Sequence, residues 1–363
     1  MELMKASNQW ATRPDDERFV SLLDMSRHFH TLRDNSREVV VNSRKIEAVP
    51  HSDNKGLAIH GPNGTGYAPS HWAFGQLAQL AEAPGGYLRS LPSPIAADCI
   101  NYGLRFKRNI EDVGVLLHKA DDVGMLRAAT GPRYGRIWNA PIVDTMVSRF
   151  GDGVSGEWKV PGEFGKAVDV TKANTTLFAG DRDMFVFLCD EQNKIEIPNR
   201  RNGAPGLLSR GFFVWNSEVG ASTFGLATFL FDYVCCNRIV WGATEYQEIK
   251  MRHTASAPDR WIDEVSPALL SYSQSSAKGI VDGVTKAQAA AIAPDKLDAF
   301  LGARFGKRLV DPIKMTHSTE EGRPIENLWD VTTAVTAYAR GIGSQDRRVE
   351  LEREAGEIMR LAA

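Results

Sequence analysis

Cysteine is scarce in this chain. The four residues, Cys99, Cys189, Cys235 and Cys236, include no CxxC spacing, and the last two are adjacent. Adjacent cysteines rarely bridge each other, so a disulfide framework is not expected, and the pattern suits a reducing compartment. A zinc cage lacks its ligand spacing. An excess of either charge is also missing: 43 Lys and Arg stand against 45 Asp and Glu, a formal net of -2. No whole-chain field gathers nucleic acid or acidic surfaces, so any polyanion site must be a local patch. No apolar run reaches the roughly 18 residues of a membrane span. The opening stretch "MELMKASNQWATRPDDERF" lacks the apolar core of a secretion signal. No internal repeat or low-complexity linker divides the chain. The expectation is a cytoplasmic protein that does not enter a membrane and holds no cofactor.

The composition is ordinary for a globular protein, at 43% hydrophobic and 24% charged, enough for one large core or two smaller ones. Residues 1–18 read as a flexible arm. "DDERFVSLLDMSRHFHTL" sets Phe19, Leu22, Leu23 and Met25 near helical spacing behind acidic residues. "REVVVNSRKIEAVP" reads as strand, turn, strand. "SHWAFGQLAQLAEA" is a helix with Ser70 as N-cap and a stop at Pro84-Gly85-Gly86, and "SPIAADCINYGLRFK" follows the same logic. Short apolar or alternating runs then dominate to about residue 255, with one helix at "APIVDTMVSRF" and a hairpin turn at "DEQNK". From residue 259 the chain is Ala-rich and helical. The predicted fold is α+β: an α+β core over 19–258 with a mainly antiparallel central sheet and flanking helices, and a helical region over 259–363.

Several motifs invite specific chemistry. "HGPNGTG", His60 to Gly66, resembles a phosphate loop, but Tyr67 stands where that loop needs Lys and Pro62 removes an amide donor. It reads as a turn-rich loop. His28 and His30 sit two apart, on diverging faces of a helix, and make no metal pair. Cys235-Cys236 follows the apolar run "FGLATFLFDYV", which favours a core strand leading to a second strand over a thiol nucleophile. Asp181 and Asp183, sharing one side of an extended segment, are candidate magnesium ligands; the alternative is a turn in which Arg182 satisfies them.

The strongest positive signal is basic residues interleaved with aromatics. "YQEIKMRHT" alternates so that Tyr246, Glu248, Lys250 and Arg252 share one strand face. Arg105, Lys107 and Arg108 lie in "LRFKR", and Arg133 and Arg136 in "GPRYGRIW". Arg200 and Arg201 lie in "NRRNGAPGLLSR", and Arg238 follows the two cysteines. Cations beside aromatic platforms are what single-stranded nucleic acid needs.

Taken together, "HWAFGQLAQLAEAPGGYLRSLPSPIAADCINYGL", "RYGRIWNAPIVDTM", "LFAGDRDMFVFL", "SEVGASTFGLATFLFDYVCCNRIVWG", "KMRHT" and "AVTAYARGIGSQDRRVELEREAGEIM" resemble the phage/plasmid-like family filed as domain-of-unknown-function family 932. The resemblance runs over roughly residues 20–360. Many relatives have Val-Cys-Ser-Asn-Gly at the cysteine step, where this chain has Cys236 and Arg238 in place of the small residues. The resemblance implies a mobile-element protein acting in the cytoplasm of a bacterial host, and brings no catalytic set.

The expected function is therefore a non-enzymatic, oligomeric protein that binds single-stranded DNA, with RNA as the alternative strand and strand annealing in recombination as its role. The alternative is an anti-defence or anti-restriction protein that works by binding a host defence or recombination protein. A metal-dependent nuclease using Asp181 and Asp183 comes third. Convergence of Lys250, Arg252, Arg105 and Arg136 in one groove would favour the first reading. Scattered cations beside an exposed apolar patch would favour the second.

Overall fold

The computed structural model describes residues 13–51, 56–61, 64–106, 112–119, 124–160, 169–198, 200, 203–232, 237–239, 248–274, 278–342 and 345–362. No helix among them is long and apolar enough to cross a membrane. The α+β class stands, but the strands form two sheets where the sequence suggested one.

The smaller sheet has six strands in the order Ser36–Asn42, Asp112–His118, Gly124–Thr130, Gly66–Pro69, Leu57–His60 and Glu47–Pro50. All neighbours are antiparallel except Gly66–Pro69 with Gly124–Thr130. "HGPNGTG" falls between two of these strands and serves as a hairpin connection, of which residues 62–63 lie outside the described residues. Ser70 caps the next helix, His71–Leu80, its hydroxyl accepting the Ala73 N–H at 3.1 Å. Ala73, Leu77 and Ala78 of that helix and Ala96, Ala97, Ile100 and Leu104 of Ser93–Phe106 bury against Ile59, Val113, Val115 and Leu126 of the sheet. The two helices meet backbone to backbone: a Cβ on Gly103 would lie 2.1 Å from the Ala81 carbonyl oxygen.

The larger sheet runs Arg18–Phe19, Leu177–Ala179, Met184–Asp190, Gly206–Asn216, Phe224–Asp232 and Asn237–Ile239. Ile195–Ile197, Trp158–Lys159 and Glu248–Met251 pair beside this path. One face packs Met184, Val186, Phe212, Val214 and Leu226 on Met25 and Phe29 of the helix Leu22–Asp34 and on Ile142, Val143 and Met146 of Asn139–Phe150. At the far end Ile195, Ile197, Leu208 and Leu230 meet the carboxy-terminal helices. There Leu328–Arg340 is buried almost all round, as a central helix must be, and is capped by Asn327, whose side chain accepts the Asp330 N–H at 2.9 Å. Each fully buried Leu, Ile or Phe in these three clusters contributes about 1.5–3 kcal/mol.

The helical stretch from 257 is broken where the sequence suggested one run. A π turn, Trp261–Val265, separates Ala257–Arg260 from Ser266–Gln274. Pro267 has no N–H for the preceding turn, and the wider turn accommodates that loss. Residues 13–18 are held in place, although the sequence assigns them to a loose arm. Arg13 is buried and ion-paired with Glu17 and Asp183, and Arg18–Phe19 joins the large sheet. The two sheets are joined by polar contacts: Arg127 pairs with Glu218 at 2.9 Å, and the Trp72 indole and Gln76 amide both donate to the Val219 carbonyl.

Candidate interaction surfaces

Among the described residues the predicted cations do not all converge. Arg136 is buried, its guanidinium 2.5 Å from Glu38 and stacked over Tyr134 and Trp138. Arg200 is 1% exposed and pairs with Glu321 at 2.6 Å beneath the Trp329 ring. A guanidinium enclosed and neutralised in this way has no face left for a phosphate, so these two residues are structural. Arg105 is exposed at the end of Ser93–Phe106 but pairs with Glu47 at 2.9 Å, on the smaller sheet. Arg238 lies on the strand Asn237–Ile239 of the larger one. Tyr246, Lys107, Arg108 and Arg201 lie outside the described residues.

Three of these cations lie on two segments that meet at one junction. Glu248–Met251 buries Met251 and exposes Lys250, as the alternation predicts, and Arg252 is exposed just beyond the strand end. His253 then docks on the Gly131–Tyr134 turn. Its carbonyl accepts the Gly135 N–H at 3.1 Å, its Nδ1 lies 3.1 Å from the Gly135 carbonyl oxygen, and its ring stacks on Tyr134 at 4.8 Å. Burial lowers the His253 pKa to about 4, so the ring is neutral and adds no charge here. A Cβ on Gly135 would lie 1.8 Å from the Thr254 carbonyl oxygen, so only glycine allows this approach. The junction sets the turn that carries Arg133 against the segment that follows Lys250 and Arg252.

The second surface is apolar. The helix Ser93–Phe106 buries Ala96, Ala97, Ile100 and Leu104 and turns Ile95, Tyr102 and Phe106 outward at 50%, 69% and 69% exposure. The spacing 95, 99, 102, 106 keeps Cys99 on the same stripe. The Tyr102 and Phe106 rings pack on each other at 5.0 Å. Beside them a cleft of about 670 Å³ is lined by Ala81, Ala83, Pro84, Ile95, Tyr102 and Phe106, with Glu82 and Asp98 among its walls. Apolar side chains exposed in one contiguous stripe beside a cleft are unlike the single exposed apolar residues normal on a surface. No residue of this face was singled out from the sequence as a site, although the spacing was visible there.

Comparison with protein-family models, with curated proteins and with solved structures finds no match in any of the three. The surfaces themselves therefore carry the functional reading.

The other motifs resolve locally. Asp183 is taken by Arg13, a partner the sequence did not suggest, while Asp181 is exposed. No group of three or more metal-binding side chains occurs among the described residues. His28 and His30 diverge: His28 packs between Phe19 and Phe29, and His30 reaches Asp144 at 2.8 Å. Phe224–Asp232 pairs with Asn237–Ile239 as two successive strands, and the cysteine pair that joins them lies outside the described residues.

Proposed function

We propose that this chain is a non-enzymatic interaction protein of a phage or plasmid that binds a host defence or recombination protein through its smaller-sheet lobe. The observation that carries this reading is the exposed Ile95, Tyr102, Phe106 stripe beside its cleft, in a molecule where two of the predicted cations, Arg136 and Arg200, are buried and paired. Aromatic side chains at a cleft are the residue type that dominates binding energy at protein interfaces. The acidic walls, Glu82 and Asp98, favour a partner that brings Lys or Arg at its rim.

The test is retention of a discrete protein from host cells by the intact chain, followed by reconstitution with that purified protein. Tyr102→Ser with Phe106→Ser is expected to abolish the reconstituted complex at unchanged melting temperature. Equal binding by this variant would overturn the reading.

Single-strand binding is kept as a second reading because Arg133, Lys250 and Arg252 are exposed around one junction. Each cation that meets a phosphate of a single strand contributes about 0.7 to the log–log salt slope, so Lys250→Ala with Arg252→Ala would lower it by about 1.4. A salt-titrated binding assay combined with light scattering reads both this slope and the assembly state. Wild-type affinity and slope in the double variant would end the second reading.

A further inference from the structure

The smaller sheet does not close. Its outermost strands, Ser36–Asn42 and Glu47–Pro50, are consecutive in the chain, joined through Ser43–Lys45 and Ile46. Laid flat, six strands would set them about 24 Å apart, at about 4.8 Å per strand. The connection from Asn42 to Glu47 spans at most about 18 Å. The sheet must therefore roll up. One hollow of about 360 Å³ confirms it, because both Val39–Val41 and Ile59–Gly61 line it although they are four strands apart in the ladder order. The result is an incomplete barrel with a break in its wall between its outermost strands, Ser36–Asn42 and Glu47–Pro50.

The two outer edges of this barrel differ. The Glu47–Pro50 edge is covered: the Asn101 side-chain amide donates to the Ala48 carbonyl and accepts its N–H, each at 2.8 Å, standing in for a neighbouring strand. The Ser36–Asn42 edge is open. Its ladder to Asp112–His118 uses one side, and Arg37 to Val41 form no other backbone hydrogen bond among the described residues. Every second residue there turns an N–H and a C=O outward. Val40 on this edge is 57% exposed. Beside the edge lies the hollow, its floor made by Tyr67, Val115, Leu117 and Leu126. Arg37 stands at its rim, exposed and without an ion-pair partner among the described residues, whereas the neighbouring Glu38 is already held by Arg136.

We infer that this break receives an extended segment of the partner protein by strand addition. The open edge supplies backbone pairing, the hollow takes an apolar side chain, and Arg37 meets an acidic residue of the incoming segment. Such a segment has apolar residues at alternate positions and one Asp or Glu facing Arg37. This inference rests on the protein-binding reading above and names the partner's chemistry, but it uses a surface distinct from the Tyr102 and Phe106 face.

The probe is a displayed library of random nine-residue peptides selected on the intact protein. Selection is expected to enrich alternating apolar residues with one acid. A synthetic copy of the strongest peptide is then measured by fluorescence anisotropy. Arg37→Glu is expected to weaken it at least tenfold, and exchanging the peptide acid for Lys to restore binding to that variant. N-methylation at alternate peptide amides, in the phase that faces the edge, is expected to abolish binding, and in the other phase to leave it. Four results would overturn the inference: no enrichment, no charge-swap rescue, indifference to N-methylation, or loss of a wild-type dimer on Arg37→Glu. The last would assign the edge to a second copy of this chain. Because the Tyr102→Ser, Phe106→Ser variant leaves this edge intact, peptide binding that persists in it separates failure of the helix-face reading from failure of this one.

Discussion

Arg200 and Arg37 both lie near apolar strands, and their circumstances are opposite. Arg200 is enclosed against Glu321 and Trp329, in the region where Arg210 pairs with Asp190 at 2.7 Å and Arg323 with Asp330 at 2.6 Å. Arg37 belongs to the smaller-sheet lobe, where apolar side chains rather than cations are out of their usual place. Of the twelve exposed large apolar side chains among the described residues, six lie between Ser36 and Thr130: Val40, Tyr87, Ile95, Tyr102, Phe106 and Met125. Buried pairs of the first kind add little net stability over apolar replacements, yet they hold one arrangement firmly. Exposed apolar groups of the second kind add nothing to folding. One region is organised for fixed geometry, and the other, on the proposed reading, for contact. An arginine in a basic-aromatic stretch therefore says little about function until its partner is known.

The largest effect that tests this contrast comes from splitting a buried pair. Glu321→Ala takes the carboxylate from the enclosed Arg200, and urea denaturation is expected to show a loss of about 3–5 kcal/mol. Replacing both, Arg200→Met with Glu321→Leu, is expected to cost far less. An equal loss in the double variant would mean the pair is a net stabiliser.

Two glycines then ask whether the regions open separately. A Cβ on Gly103 would lie 2.1 Å from the Ala81 oxygen, and one on Gly225 would lie 1.9 Å from the Trp215 ring. Each change to Ala is expected to cost about 1–3 kcal/mol or more through overpacking. Native-state hydrogen exchange should show Gly103→Ala loosening amides of residues 36–130 first and Gly225→Ala loosening the larger sheet. The same pattern from both variants would break the comparison.

A smaller effect is set by pH. Burial lowers the pKa of His28, His118 and His317, and takes that of His253 to about 4. Unfolded histidine takes its proton near pH 6.5, whereas these folded rings resist it, so the unfolded state binds more protons on acidification. Stability is expected to be complete above about pH 6.5 and to decline as pH falls, for His253 down to about 4. His317 is 1% exposed and neither ring nitrogen is hydrogen-bonded among the described residues, so His317→Leu should flatten this decline, read from urea midpoints at two pH values.

The smallest expected effect sharpens the contrast most. Tyr102→Ser with Phe106→Ser removes exposed apolar surface only, and stability should stay within about 0.5 kcal/mol of wild type. A larger loss would show that the stripe belongs to the fold.

Local features were legible in the sequence. Ser70 as N-cap, the helix end at Phe150, the turn after Asp190 and the Lys250 alternation all depend on neighbours a few residues away. The division into two sheets was not legible, because it depends on pairings such as Ser36 with His118. The fate of the arginines was not legible for the same reason. Arg136 finds Glu38 across 98 residues and Arg200 finds Glu321 across 121. The stripe at Ile95, Tyr102 and Phe106 was hidden differently. Its helix is apolar on two faces, and periodicity alone does not say which face the sheet covers.

The parallel pairing of Tyr67 with Gly124 carries a consequence for synthesis. No local turn can form that ladder, and closure of so long a loop slows folding more than it weakens the product. As the chain leaves the ribosome, the strand Ser36–Asn42 emerges first and waits without a neighbour until Asp112–His118 follows. During that interval its Val39, Val40 and Val41 are available to whatever extended chain is nearby. On the strand-addition proposal, a partner already present would meet this edge before the barrel around it exists, and the timing of translation would become part of how the complex forms.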